Sequence, residues 1–240
     1  MSAPRTARAR VRAELTREIA DAARRQLAES GAAGLSLRAV ARELGMASSA
    51  VYRYFANRDE LLTALIASAY DGIGAAAEAA DAAVARGDHL GRWRAVGEAV
   101  RDWAQARPHE YALVYGSPVP GYAAPDSTVG PASRVVLALG ANFADAARGG
   151  RLAPLAVPVS EPSGPLAAEL AALLAGVPGG AEGVGAAAPD VVRRCLAAWT
   201  QLFGTVSFEL FGQYAMVGHR EEYVRHTLEL TGVLLGLRAE

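Results

Sequence analysis

The residues of this chain that could do chemistry are concentrated near its start, and they are hydrogen-bond donors rather than catalysts. Between positions 36 and 58 stand Ser36, Arg38, Ser48, Ser49, Tyr52, Arg53, Tyr54 and Arg58. Hydroxyl and guanidinium groups in this density suit phosphate oxygens and base edges, and an arginine can bond guanine bidentately. Each of them is equally an ordinary solvated side chain when taken alone. Elsewhere no acid, base and nucleophile converge. No nucleophile elbow, phosphate-binding loop, dinucleotide fingerprint or zinc-finger spacing is present, so no catalytic residue, cofactor or enzyme activity is expected. His219, Glu222 and His226 share one face of a helical register, but the plainer reading is a polar helix face, and no metal is assigned. The single cysteine, Cys195, reads as a buried structural thiol.

The donors need positioning, and the local sequence supplies it. Ser36 is a natural N-cap for a short helix with inner face Leu37, Val40, Ala41 and Leu44. Gly45-Met46-Ala47 makes a tight turn, and a second short helix runs from about Ser48 to Tyr54. Two short helices across such a turn form a helix-turn-helix, whose second helix enters the major groove. Small apolar residues, Ala41 and Val51, stand where the two helices must cross.

The stretch from Ser36 to Leu62 resembles the DNA-binding signature of the tetracycline-repressor (TetR) family. The carriers are the turn glycine Gly45, the run Tyr52-Arg53-Tyr54-Phe55, then Arg58 and the pair Leu61-Leu62. The resemblance covers about residues 10–66. Beyond it the chain is similar in length and helical character, and residues 107–125 resemble one subgroup's C-terminal domain. The resemblance implies that Arg38 reads a base, that Ser36, Tyr52, Tyr54 and Arg58 meet phosphates, and that Ser48, Ser49 and Arg53 face the groove. It makes Phe55 a core residue joining the third and fourth helices. One departure is Ala47, where the family often places a serine N-cap. Capping by Ser48 instead would shift the groove contacts by one residue.

Charge agrees with a polyanion partner at this end. Residues 1–60 hold 11 Arg against 7 acidic residues, and residues 61–240 hold 13 against 18. A lone cysteine, no apolar stretch near the ~18–20 residues of a membrane span, and no apolar signal core lead to the expectation of a cytoplasmic protein with no membrane partner.

The expected fold is all-α: a three-helix helix-turn-helix domain with a basic arm (1–57), then a helical-bundle ligand-binding and dimerisation domain (58–240). Residues 1–10 read as a flexible basic arm, and helix one as about 11–30. Longer helices are expected at about 58–85, 89–107, 133–148, 190–216 and 220–237, with short ones at 109–115 and 166–174. Pro/Gly-rich loops fall at 116–131, 149–165 and 176–189. In the second domain Trp93, Trp103, Tyr111, Tyr115, Phe143, Trp199 and Phe203 could line an apolar ligand pocket or simply fill the core. Trp199, Leu202, Phe203, Val206 and Leu210, with Leu230 and Leu234, space apolar groups by three or four, as an isologous four-helix dimer interface requires. The expected partners are double-stranded operator DNA, a second copy of the chain and a small-molecule effector. The expected function is a ligand-released regulator, a repressor in type. A small helical enzyme and a regulator that senses no small molecule are the competing readings.

Overall fold

The computed structural model describes residues 7–157 and 159–239, and the regular structure among them is entirely helical. The α-helices are α1 (Ala7–Ser30), α2 (Leu37–Glu43), α3 (Ser48–Val51), α4 (Arg58–Ala82), α5 (His89–Ala106), α6 (Pro108–Tyr115), α7 (Val129–Arg148), α8 (Gly164–Ala175), α9 (Ala188–Leu210) and α10 (Arg220–Leu234). The all-α expectation is met.

Several boundaries differ from the sequence reading. Helix α1 starts at Ala7, so Arg8 and Arg10 of the expected flexible arm are helical, while residues 1–6, Arg5 included, lie outside the described residues. The alternation of Arg and Ala there carries no apolar stripe, but both residues favour helix. Helix α7 begins at Val129 rather than near Ser133. Pro131 is tolerated because it sits in the first turn, where backbone N–H groups have no helical acceptor. Helix α9 ends at Leu210, six residues short of Met216, because Gly212 turns the chain with φ 79°.

The contacts gather the chain into two compact units, dividing it elsewhere than at residue 57. The first contains the chain as far as Tyr70 together with Arg107–Val129. Its core is built from Ile19, Ala22 and Ala23 of α1, Leu37, Val40 and Ala41 of α2, Val51 and Phe55, and Leu61, Leu62, Leu65 and Ile66 of α4. The 107–129 segment belongs here because Leu113, Val114, Val119 and Tyr122 pack on that core. Polar contacts fasten it: the Tyr122 and Thr63 hydroxyls lie 2.8 Å apart, and the Tyr70 hydroxyl donates to the Val114 carbonyl at 3.3 Å.

The second unit comprises Asp71–Ala106 and the chain from Gly130 onward. Helix α5 is its centre, with Trp93, Val96, Val100 and Trp103 all buried. Helix α10 crosses α5 closely. Trp93 Nε1 donates to the Leu228 carbonyl at 2.7 Å, and a Cβ on Gly232 would stand 2.7 Å from Trp93 Cδ1. A fully buried Arg92 bonds both Asp81 oxygens, at 2.8 and 3.1 Å, and Asp145 at 2.9 Å. This arrangement satisfies a charge that burial would otherwise make very costly. His89 and Asn142 pair reciprocally and tie α5 to α7.

Candidate nucleic-acid interface

The turn between α2 and α3 follows from two backbone hydrogen bonds. Gly45 takes φ 64°, a conformation that L side chains rarely adopt. Met46 N–H then donates to the Ala41 carbonyl at 2.8 Å, and Gly45 N–H to the Arg42 carbonyl at 3.2 Å. This 6→1 and 5→2 pair closes the end of α2, and Met46 covers it by packing on the core. Helix α3 is one turn long, so its orientation is set by packing. Val51 is fully buried and Phe55 nearly so. With those two inward, Ser48, Ser49, Tyr52 and Arg53 remain exposed, Tyr52 at 44%. The apolar residues therefore aim the polar ones.

Neither expected serine cap forms. Ser36 holds the N-cap position of α2 in extended backbone, yet its side chain makes no cap; instead its N–H donates to Gln26 Oε1 at 3.3 Å. Ala47 occupies the N-cap position of α3, and Ser48 is the first helical residue rather than a substitute cap. At the start of α4, Asn57 does cap, with Oδ1 accepting from Glu60 N–H at 2.8 Å, while Glu60 reaches back to Ala56 N–H at 2.6 Å.

The remaining donors divide into outward and inward ones. Arg38 is exposed on α2. Tyr54 is half-buried, with its ring against the core and the Arg12 guanidinium 5.3 Å from its centroid. Arg58 is half-buried, and its Nη2 donates to the Ala32 carbonyl at 2.7 Å. Arg58 thus braces the loop before α2 with one arm. Arg12, absent from the expected contact set, donates to the Arg53 carbonyl at 3.4 Å and stacks on Tyr54. Its place beside the recognition helix rests on a pairing between residues 42 positions apart, for which local sequence carries no signal.

Residues 19–65 match the family described as "Bacterial regulatory proteins, tetR family", and residues 93–231 match "Tetracyclin repressor-like, C-terminal domain". The chain belongs to the TetR family. Among similar proteins is the HTH-type transcriptional regulator Rv1816 of Mycobacterium tuberculosis, 42% identical over 211 residues, which span 85% of this chain and 83% of the relative. The regulator Mb1846 of Mycobacterium bovis matches to the same extent. A solved regulatory protein, SCO4313, superposes with TM-score 0.72 at 32% identity over 94% of this chain and 98% of its own. The TetR-family regulator PfmR of Thermus thermophilus shares the fold, with TM-score 0.55 at 18% identity over 89% of this chain and 96% of that one. This TetR-family chain is accordingly a DNA-binding regulator of transcription and not an enzyme. No described helix is long and apolar enough to cross a membrane.

In the regulator's second unit the expected pocket aromatics do not gather. Tyr111 and Tyr115 belong to the first unit, where Tyr115 packs against Tyr70 and Tyr111 with centroids 5.8 and 5.2 Å away. Burial, and then the neighbouring tyrosines, raise the Tyr115 hydroxyl's pKa, so it remains a protonated donor. Trp93, Trp103, Phe143 and Phe203 are buried core, and half-buried Trp199 packs on Phe203 at 5.9 Å. The expected dimer set also divides. Leu202 and Val206 are buried in their own unit, Phe203 is 8% exposed, and none of these three offers a surface. Leu210 is half-buried in the wall of a cleft near the end of α9. Leu230 and Leu234 are 58% and 60% exposed, beside Tyr223 and Val233. Spacing of three or four identified an apolar face correctly; it did not say which neighbour that face meets.

Proposed function

We propose that this regulator is a repressor that binds a palindromic operator as a homodimer and leaves it when a small, largely apolar molecule binds its second unit. The observation that carries the DNA part is the one-turn α3, fixed from beneath by Val51 and Phe55, with Ser48, Ser49, Tyr52 and Arg53 left outward. Arg38 is assigned base readout, Tyr52 and Ser36 phosphate contact, and Tyr54 and Arg58 mainly support. Dimerisation is supported by the exposed stripe Tyr223, Leu230, Val233 and Leu234 on α10 and by Phe208 and Phe211 near the end of α9. Apolar side chains in that number on one surface mark an association site. Two-fold pairing of α9 and α10 would cover them and present two recognition helices to half-sites about one helical turn (~34 Å) apart. Operator DNA places this action in the cytoplasm.

Release is assigned to α4, a continuous helix that begins three residues after Phe55 and runs to Ala82. A shift of α4 would change the separation of the two heads, while the duplex fixes the separation of its half-sites. The test is selection from a random duplex pool with the full-length protein, followed by sedimentation of the complex. The reading predicts an inverted repeat and two chains per duplex. Enrichment of no sequence, or of an asymmetric site bound by one chain, would overturn it.

A further inference from the structure

Three of the concavities among the described residues of the second unit have linings that differ in kind. The cleft near the start of α10 holds Arg101, Glu209, Glu221 and Arg225. These four charges already satisfy one another, since Arg101 bonds both Glu209 oxygens at 2.7 Å and Arg225 pairs with Glu221. A groove between α9 and α10 is lined by Leu230 and Leu234, the exposed stripe assigned above to the dimer. The third is a pocket of about 350 Å³ enclosed by α7, α8, the turn after α8, and α9. Its walls are Val136 and Leu137, Leu173 and Val177, and Cys195 and Leu196. Among the described residues that line it, none is charged and none is aromatic.

We propose that the effector is an uncharged, chiefly aliphatic molecule seated in this pocket between α7, α8 and α9. The inference rests on the reading of the chain as a ligand-released regulator. Its size follows from the volume, which at about 30 Å³ per water-sized group admits roughly a dozen such groups. Its polarity follows from the walls. A carboxylate or ammonium here would lose hydration and find no counter-ion. The polar side chains are the Ser133 hydroxyl and the Cys195 thiol, which donates to the Val136 carbonyl at 3.8 Å. Two such groups match at most one polar atom of the ligand. An aromatic ligand would meet no ring on which to stack. Entry is by way of α8, which exposes Leu166 and Leu173, the latter at the mouth. Gly140 forms part of the floor, where a Cβ would stand 3.0 Å from Val177 and 3.9 Å from the Cys195 sulfur, so the site has no spare depth on that side.

The test is calorimetric titration of the full-length protein, without DNA, using primary alcohols from butanol to dodecanol, octanoate, and 2-phenylethanol. Affinity should rise roughly fourfold per added CH₂, then level off when the chain fills the pocket. Octanoate should bind at least tenfold more weakly than octanol, and 2-phenylethanol more weakly than the alcohol of equal carbon number. Leu137→Trp should abolish binding. Leu173→Trp, at an exposed position that folding tolerates, should move the plateau to shorter alcohols. The proposal is overturned if no alcohol binds, if octanoate binds as well as octanol, or if both variants titrate like the wild type. A parallel anisotropy measurement on the selected duplex should show octanol releasing the DNA, and binding without release would refute the effector role. Failure to bind any duplex before alcohol is added would count against the regulator reading alone, because the titration needs no DNA.

Discussion

Arg38 and Tyr52 are both exposed in the recognition unit, but their chemistry separates their roles. Replacing Arg38 by alanine should flatten base preference, with roughly 1–3 kcal/mol of discrimination lost at one position of each half-site, as read by competition between duplex variants. Tyr52→Phe removes a phosphate donor and should weaken all duplexes alike while leaving the preferred sequence unchanged. Cys195 offers a test of a different kind. Burial pushes its thiol up from 9.0 to about 12, so the folded protein holds that proton more tightly than the unfolded chain. Its contribution to stability is therefore fully present below pH 9 and is lost as pH rises from about 9 toward 12. Thiol reagents at pH 8 should label the native protein slowly, because little of the thiol is ionised there, and Cys195→Ala should reduce the fall in stability across that alkaline window. At this scale the sequence was informative where the physics is local. Gly45, Val51 and Phe55 sit within a dozen residues of one another, and each could be placed from its neighbours. The Arg58 bond to Ala32 and the Arg12 stack on Tyr54 span 26 and 42 positions, and local patterning carries no signal for such pairings.

The helices were legible as amphipathic stripes, but their partners were not. The segment containing α6 reads as one more bundle helix, yet Leu113 and Val114 pack on the recognition unit's core, because which core a stripe joins is decided by the whole fold. The same ambiguity placed Leu202 and Val206 at a dimer interface, whereas both are buried in their own unit. The two assignments can be told apart by mutation. Leu202→Ala should destabilise the fold by about 2–5 kcal/mol, as a cavity in a filled core does. Leu230→Glu with Leu234→Glu should leave the thermal transition of the subunit and its helical signal largely intact while converting dimers to monomers in light scattering. Arg92 on α5 gives a third readout at this scale. Removing it takes the buried cation from Asp81 and Asp145, which keep only Arg86 and Arg148, so Arg92→Ala should lower the midpoint of denaturant unfolding. A wild-type-like midpoint for that variant would mean that the ion network contributes nothing.

For the whole molecule, the organising feature is the charge asymmetry, a surplus of arginine over residues 1–60 followed by an acidic remainder. An asymmetry of this sign attracts a polyanion to the arginine-rich end of the chain. The proposed ligand response requires a coupling between the two units, and a ~100-fold loss of operator affinity requires about 2.7 kcal/mol. Reciprocity then demands that operator DNA weaken effector binding by the same factor. The central claim is that an electrostatically anchored, sequence-reading head contacts operator DNA. Its most direct test is the anisotropy of a labelled duplex, selected or scrambled, titrated with the full-length protein at a series of salt concentrations. The account predicts that log affinity for both duplexes falls linearly with log salt, by about 0.9 per phosphate neutralised, with the selected duplex at least roughly 1,000-fold tighter at physiological salt. Equal affinity for the two duplexes, or affinity that does not change with salt, would contradict it.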